Sequence, residues 1–232
     1  MHAEMGQAVM TVMNLDNLNG IGKGVDKCWI YKNPLSVDLA HDYLQKINFS
    51  IQDINYLLSV CEQSKRRTDI ISMIVMVDWV VDSVWQYKSC LLPNLLDDFL
   101  FSEQETLCKS YSFIKGIRSF IIAHPLATER HHQFGFDGDL ICIDLRSSKP
   151  ILFDYGNNEV KRLGFDGIEE WDEEQDDDFY LFVYSKRAKA KYFKYLVIDL
   201  AEIIKVARID IMYLYEMDSY LGKLRKKDYA AK

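Results

Sequence analysis

The chain has five histidines in 232 residues, and three of them fall between positions 124 and 132, beside two arginines. Along IRSFIIAHPLATERHH, the residues Arg118, His124, Arg130, His131 and His132 lie within fifteen positions. An imidazole with its ordinary pKa near ~6.5 moves protons at neutral pH, and a guanidinium is a permanent cation whose donors match a phosphate. Pro125 disfavours helical backbone at His124, so a helix through Arg118 is expected to stop there. An imidazolium at that end meets unpaired carbonyls and the negative pole of the helix. On a regular helix Arg118 and His124 stand about 9 Å apart along the axis and ~120° apart around it. They converge on one phosphate only if His124 turns back past the helix end, or if a second subunit faces the first. Alternatively, both side chains simply bond the free carbonyls of the helix end. Arg130 and His131 are candidates for gripping neighbouring phosphates; otherwise they lie with His132 in a solvated loop.

The elements that must position these residues are mostly helical. A weak helical pattern (Val9, Val12, Met13, Leu18) ends at Asn19-Gly20, and the GIGKG that follows reads as a turn, since no strand precedes it and phosphate-loop spacing is lacking. Pro34 and Ser36 open a helix carrying Leu39, Tyr43, Leu44 and Ile47, with Ser36 as its cap, and a second short helix is expected after Ser50. The stretch 70–87 is apolar on nearly every face, which predicts the central, most buried helix. A short helical turn covers 95–100. Ser102 and Glu105 read as a capping box for the helix that runs to His124. From residue 128 the period changes: 140–145 and 179–184 read as strands, and 151–155 as a weaker third. A long helix is expected over 188–227. The predicted organisation is an N-terminal extension (1–36), a helical core (37–127 and 188–232) and a β-containing insertion (128–187) between the last two core helices. The fold class is mainly α.

Arg118-Ser119-Phe-Ile-Ile-Ala-His124, followed by Pro125, resembles the signature of the HEPN superfamily of prokaryotic toxins and defence ribonucleases: an Arg, a polar residue directly after it, and a His separated from the Arg by four to six residues, on one helix of a helical bundle. The resemblance covers the helical core and not the β insertion, which departs from the minimal fold. It implies a HEPN-like helical bundle acting as a metal-independent endoribonuclease, in which the ribose 2′-hydroxyl attacks the adjacent phosphate. Arg118 and His124 would be catalytic, with Ser119 supporting. It also implies RNA as substrate, a homodimer with a composite cleft, a possible protein antitoxin, a cytoplasmic setting, and no cofactor or metal. The alternative is a non-catalytic helical adaptor that binds a nucleotide or protein.

Two further clusters bear on this. Asp78 and Asp82 are i, i+4 on the most apolar helix and share a face. They read first as the solvent stripe of that helix. Otherwise they orient the Arg or His from behind, or offer oxygen ligands to a divalent ion. The run Glu169 to Asp178 holds eight acidic residues and no basic one. It accounts for the net charge of −7 and leaves the rest of the chain, with 28 Lys and Arg, near neutral. It reads as a solvated loop, and a dispersed basic face for non-specific nucleic-acid binding is absent. Five scattered cysteines with no C-x-x-C argue against a disulfide frame or structural zinc. No apolar run of ~18 residues predicts a membrane span. Serine-hydrolase, P-loop, kinase and zinc-peptidase motifs are missing.

Overall fold

The computed structural model describes residues 15, 16, 18, 27–63, 66–123, 140–144, 158–171, 179–185 and 192–226. Within them the protein is mainly helical with a small sheet. Four helices, α1 (Pro34–Gln63), α2 (Arg67–Cys90), α3 (Gln104–Arg118) and α4 (Leu200–Lys223), enclose the main core. A π-helical turn, Ser119–Ala123, continues α3, and five strands lie between it and α4.

The helix α2 is central, as its composition predicts: it packs against α1, α3 and α4 and buries Ile70, Met73, Ile74, Val77, Val80, Val81, Val84 and Tyr87. The helix α1 differs from expectation. It runs unbroken through Ser50, because Ile47, Ser50, Ile51 and Ile54 are all buried and face one core. Continuous burial overrides the local start signal at Ser50 and Asp53. Its cap is not Ser36 but Asn33, whose Oδ1 accepts from the Ser36 N–H at 2.9 Å and from Ser36 Oγ at 3.1 Å. Pro34 then occupies the first helical position, where no N–H is needed. Asn48 and Asn55, two turns apart on α1, hold the preceding chain: Asn48 Oδ1 accepts from the Leu18 N–H, and Asn55 exchanges both its hydrogen bonds with the Leu15 backbone.

Residues 93–98 form turns rather than the expected helical turn, with Asn94 in the left-handed region at φ 69°. Ser102 does not cap α3: its Oγ donates to Glu216 Oε1 on α4 at 2.7 Å, and α3 starts without a side-chain cap. At the far end of α4, the Lys27 ammonium donates to the carbonyls of Leu221, Gly222 and Leu224 at 2.6–3.0 Å, satisfying the orphan acceptors of the helix terminus.

The strands are β1 (Leu140–Asp144), β2 (Asn158–Gly164), β3 (Gly167–Glu170), β4 (Phe179–Ser185) and β5 (Tyr192–Ile198), in the order β1-β4-β5-β2-β3. All pairs are antiparallel except β2 with β5. Both firm strand expectations form, whereas the candidate at 151–155 lies outside the described residues. The long helix expected from residue 188 starts at Leu200 instead. YFKYLVI, residues 192–198, is a strand, and Asp199 caps the helix by accepting from the Ala201 N–H at 2.7 Å. Side-chain alternation explains the sheet's place. Phe179, Leu181, Leu196, Ile198 and Leu163 join the helical core, while Tyr180, Tyr195 and Val197 cluster separately with Val160 and Trp171. The turn between β2 and β3 docks on the helices: Phe165 meets the Phe113 ring edge-on at 5.1 Å and lies under Lys205, and Asp166 accepts from Lys109.

Removing the α1 cap with Asn33→Ala is expected to cost about 1 kcal/mol, read as a lower denaturant midpoint at unchanged slope. An equal midpoint would show that Pro34 alone defines the start of α1.

Candidate functional site

The end of α3 brings two cations against the one acidic pair of α2. Lys115 and Arg118 are three positions apart (i, i+3), so both face the same side of α3. Asp78 and Asp82 do the same on α2. Lys115 Nζ donates to Asp78 Oδ1 at 2.6 Å and to Asp82 Oδ1 at 2.7 Å. The second oxygen of Asp78 takes Arg118 Nε at 3.1 Å. Asp78 thus serves two cations with two oxygens.

The solvent-stripe expectation fails for Asp78, whose side chain is only 4% exposed, and holds in part for Asp82 at 49%. A carboxylate removed from water must be paired, and the pairing partners come from the neighbouring helix. The alternative expectation, that these aspartates stand behind Arg118, describes the contact seen at Asp78. As for a divalent ion, the two inward oxygens of the pair converge on an ammonium. Among the described residues no group of three or more His, Cys, Asp or Glu is arranged to hold a metal.

Arg118 is oriented from one end and open at the other. Asp78 holds Nε, while 44% of the arginine side chain remains exposed. Lys115 is more enclosed, at 24%. Burial pulls the Lys115 ammonium down, but the hydrogen bonds it donates to Asp78 and Asp82, with their negative charges, outweigh it and leave its pKa above the ordinary lysine value. Behind this array stands Asp210 of α4, which sequence reasoning missed because it sits among the apolar positions of that helix. It is fully buried, and neither oxygen has a hydrogen-bond partner among the described residues. Burial pushes its pKa up to about 8; the Lys115 charge opposes that and Asp82 adds to it. At neutral pH Asp210 is therefore mainly a neutral acid, which leaves Lys115 to the other two carboxylates.

Beyond Arg118 the backbone widens into the π turn Ser119–Ala123, a rare geometry that often accompanies functional positions. Phe120 anchors this turn in the core and Ile122 is exposed. Ser119 leads it directly behind Arg118. His124, Arg130, His131 and His132 lie outside the described residues, as do GIGKG and residues 172–178 of the acidic run. The structure therefore brings together Arg118, Asp78 and Asp82, and adds Lys115 and Asp210. What this arrangement can do chemically is present a fixed, partly exposed guanidinium to an anion. None of the described helices is long and apolar enough to cross a membrane.

Because native Asp210 keeps a proton that the unfolded chain has released, stability is expected to fall as pH rises between about pH 4 and pH 8. Asp210→Asn removes the titration. Its melting-temperature gain over the wild type should be small at pH 4 and grow up to pH 8. A gain that does not change with pH would show that Asp210 titrates normally.

In comparisons with known proteins, no family model, no curated protein and no solved structure matched this chain.

Proposed function

We propose that this chain is a HEPN-like, metal-independent endoribonuclease in which Arg118 binds the reacting phosphate and His124 moves the proton. The observation that carries the reading is the posture of Arg118. A buried carboxylate holds its Nε, so its two Nη groups are the donors left for an anion, and the side chain stays partly open to solvent. A guanidinium fixed beforehand stabilises charge developing on a phosphate without reorganising during the reaction. The π turn Ser119–Ala123, which directly follows Arg118, supports the reading in a second way, because such turns often accompany functional positions.

In this reaction the RNA 2′-oxygen loses its proton to His124 and attacks the adjacent phosphorus. The bond to the 5′-oxygen breaks and that oxygen takes the proton back from the His124 imidazolium, leaving a 2′,3′-cyclic phosphate and a 5′-hydroxyl. Arg118 neutralises the non-bridging oxygens, and an imidazole with a pKa near neutrality suits the proton transfer. Arg130 and His131 would bind flanking phosphates, and Ser119 would support Arg118. Two copies facing each other would form a composite cleft on RNA, with a protein antitoxin as a further partner in a cytoplasmic toxin or defence role.

A second reading is favoured by one observation: Lys115, Arg118, Asp78 and Asp82 already balance one another within the protein. In that case the cluster is a structural lock, and the chain is a non-catalytic helical adaptor for a nucleotide or protein.

Arg118→Ala and His124→Ala should each lower cleavage of a mixed-sequence RNA oligonucleotide by at least ~100-fold, with circular dichroism unchanged. EDTA should have no effect, and the DNA oligonucleotide of the same sequence should stay intact. Cleavage that survives both substitutions, or that EDTA abolishes, would refute the ribonuclease assignment. A well-folded wild-type chain that leaves RNA intact would favour the adaptor.

A further inference from the structure

A second feature lies at the other end of α2. Lys88 stands ten residues beyond Asp78, about 15 Å along the helix, so nothing here depends on the role of Arg118. There the end of α2 and the turn that follows it enclose a cleft of about 480 Å³. That volume falls within the range of small-molecule sites, roughly 300–1,000 Å³. Its wall is largely apolar, built from the Trp85 ring with Leu92 and Leu96.

Two cations border this apolar wall, Lys32 and Lys88. The Lys88 ammonium rests over aromatic rings, 5.1 Å from the centroid of Trp85 and 5.8 Å from that of Tyr213. Trp85 and Tyr213 are stacked, with 20° between their planes, and the charge rests against this aromatic pair. No carboxylate of the described residues lies in ion-pair range of Lys32 or Lys88; the one acidic residue of the lining, Asp97, is exposed on the rim. Behind the wall the Trp85 Nε1–H is covered by protein and has no acceptor among the described residues, so it reports on the cleft without opening into it. A buried indole N–H normally finds a partner.

We infer that this cleft binds a small organic anion with a flat apolar body, of the aromatic carboxylate class. The carboxylate would pair with Lys32 and Lys88, and the ring would lie against Leu92, Leu96 and the Trp85 face. With two cations and an apolar wall, the site matches one charged group rather than a polyphosphate.

The test uses the full ¹⁵N-labelled chain and 1-naphthoate as probe, with 1-naphthamide as its uncharged counterpart. The readout is the Trp85 indole N–H resonance, assigned with Trp85→Phe or, if that variant does not fold, by elimination with Trp29→Phe, Trp79→Phe and Trp171→Phe. A saturable shift of this resonance is expected with naphthoate, and binding of the amide should be at least several-fold weaker. Lys32→Gln and Lys88→Gln should each weaken naphthoate binding about two- to fivefold, and the double variant about tenfold, at unchanged melting temperature. The proposal fails if the Trp85 resonance stays still at millimolar naphthoate. It also fails if acid and amide bind equally, or if the double lysine variant binds naphthoate like the wild type.

Discussion

A carboxylate on the most apolar helix of a protein is a constraint before it is a feature. Asp78 occupies a buried position of α2, flanked by Val77, Val80 and Val81, and its charge must be met there or not carried at all. The structure meets it by bringing the end of α3 across α2, with one oxygen on Lys115 and the other on Arg118. That requirement sets the register of the two helices more narrowly than apolar packing would, since sliding α3 by one turn would strand both cations. It also determines how the α3 terminus is presented. Arg118 leaves the helix already oriented, immediately before the backbone opens into a π turn.

The same cluster carries its cost in Asp210. Placing a third carboxyl behind Lys115 with no hydrogen-bond partner among the described residues is unfavourable once it ionises, and the protein tolerates it by keeping the proton on. Lys115 is therefore not divided among three anions, and the Asp78–Arg118 contact is left undisturbed at neutral pH. The arrangement joins α2, α3 and α4 at one level of the bundle. At another level the Phe165 turn is wedged against α3 and α4, so the sheet leans on two of these three helices.

How far this could be read from sequence depends on which force decides each segment. Helices chosen by apolar periodicity were legible: α2 and α3 stand where Ile70, Ile74 and Val77, or Leu107, Ile114 and Ile117, require them. Ser50 misled because a good start signal was embedded in a helix whose burial continues through it. Residues 192–198 misled because Tyr195, Leu196, Val197 and Ile198 are buried on both faces of the sheet, a short apolar run with no period of its own. Strand β2 was silent for the opposite reason. Lys161 and Arg162 break its alternation, and they pair with Glu170 across the β2–β3 turn and with Asp199 at the start of α4. At the site, the acidic pair and Arg118 were visible as residue types. Their contact was not, since the partners lie on different helices. Lys115 and Asp210 carried no local signal beyond a charge on an otherwise apolar helical pattern.

The measurement that addresses the central interaction most directly is a pair of double-mutant cycles, Asp78→Ala with Arg118→Ala and Asp78→Ala with Lys115→Ala, read by denaturant unfolding at pH 7. If the buried carboxylate ties both cations to α2, each cycle should give a coupling energy of roughly 1–2 kcal/mol, larger for the more enclosed Lys115. Additivity within about 0.3 kcal/mol in both cycles would contradict the account, for it would mean that Asp78 holds neither cation and that Arg118 owes its posture to something else.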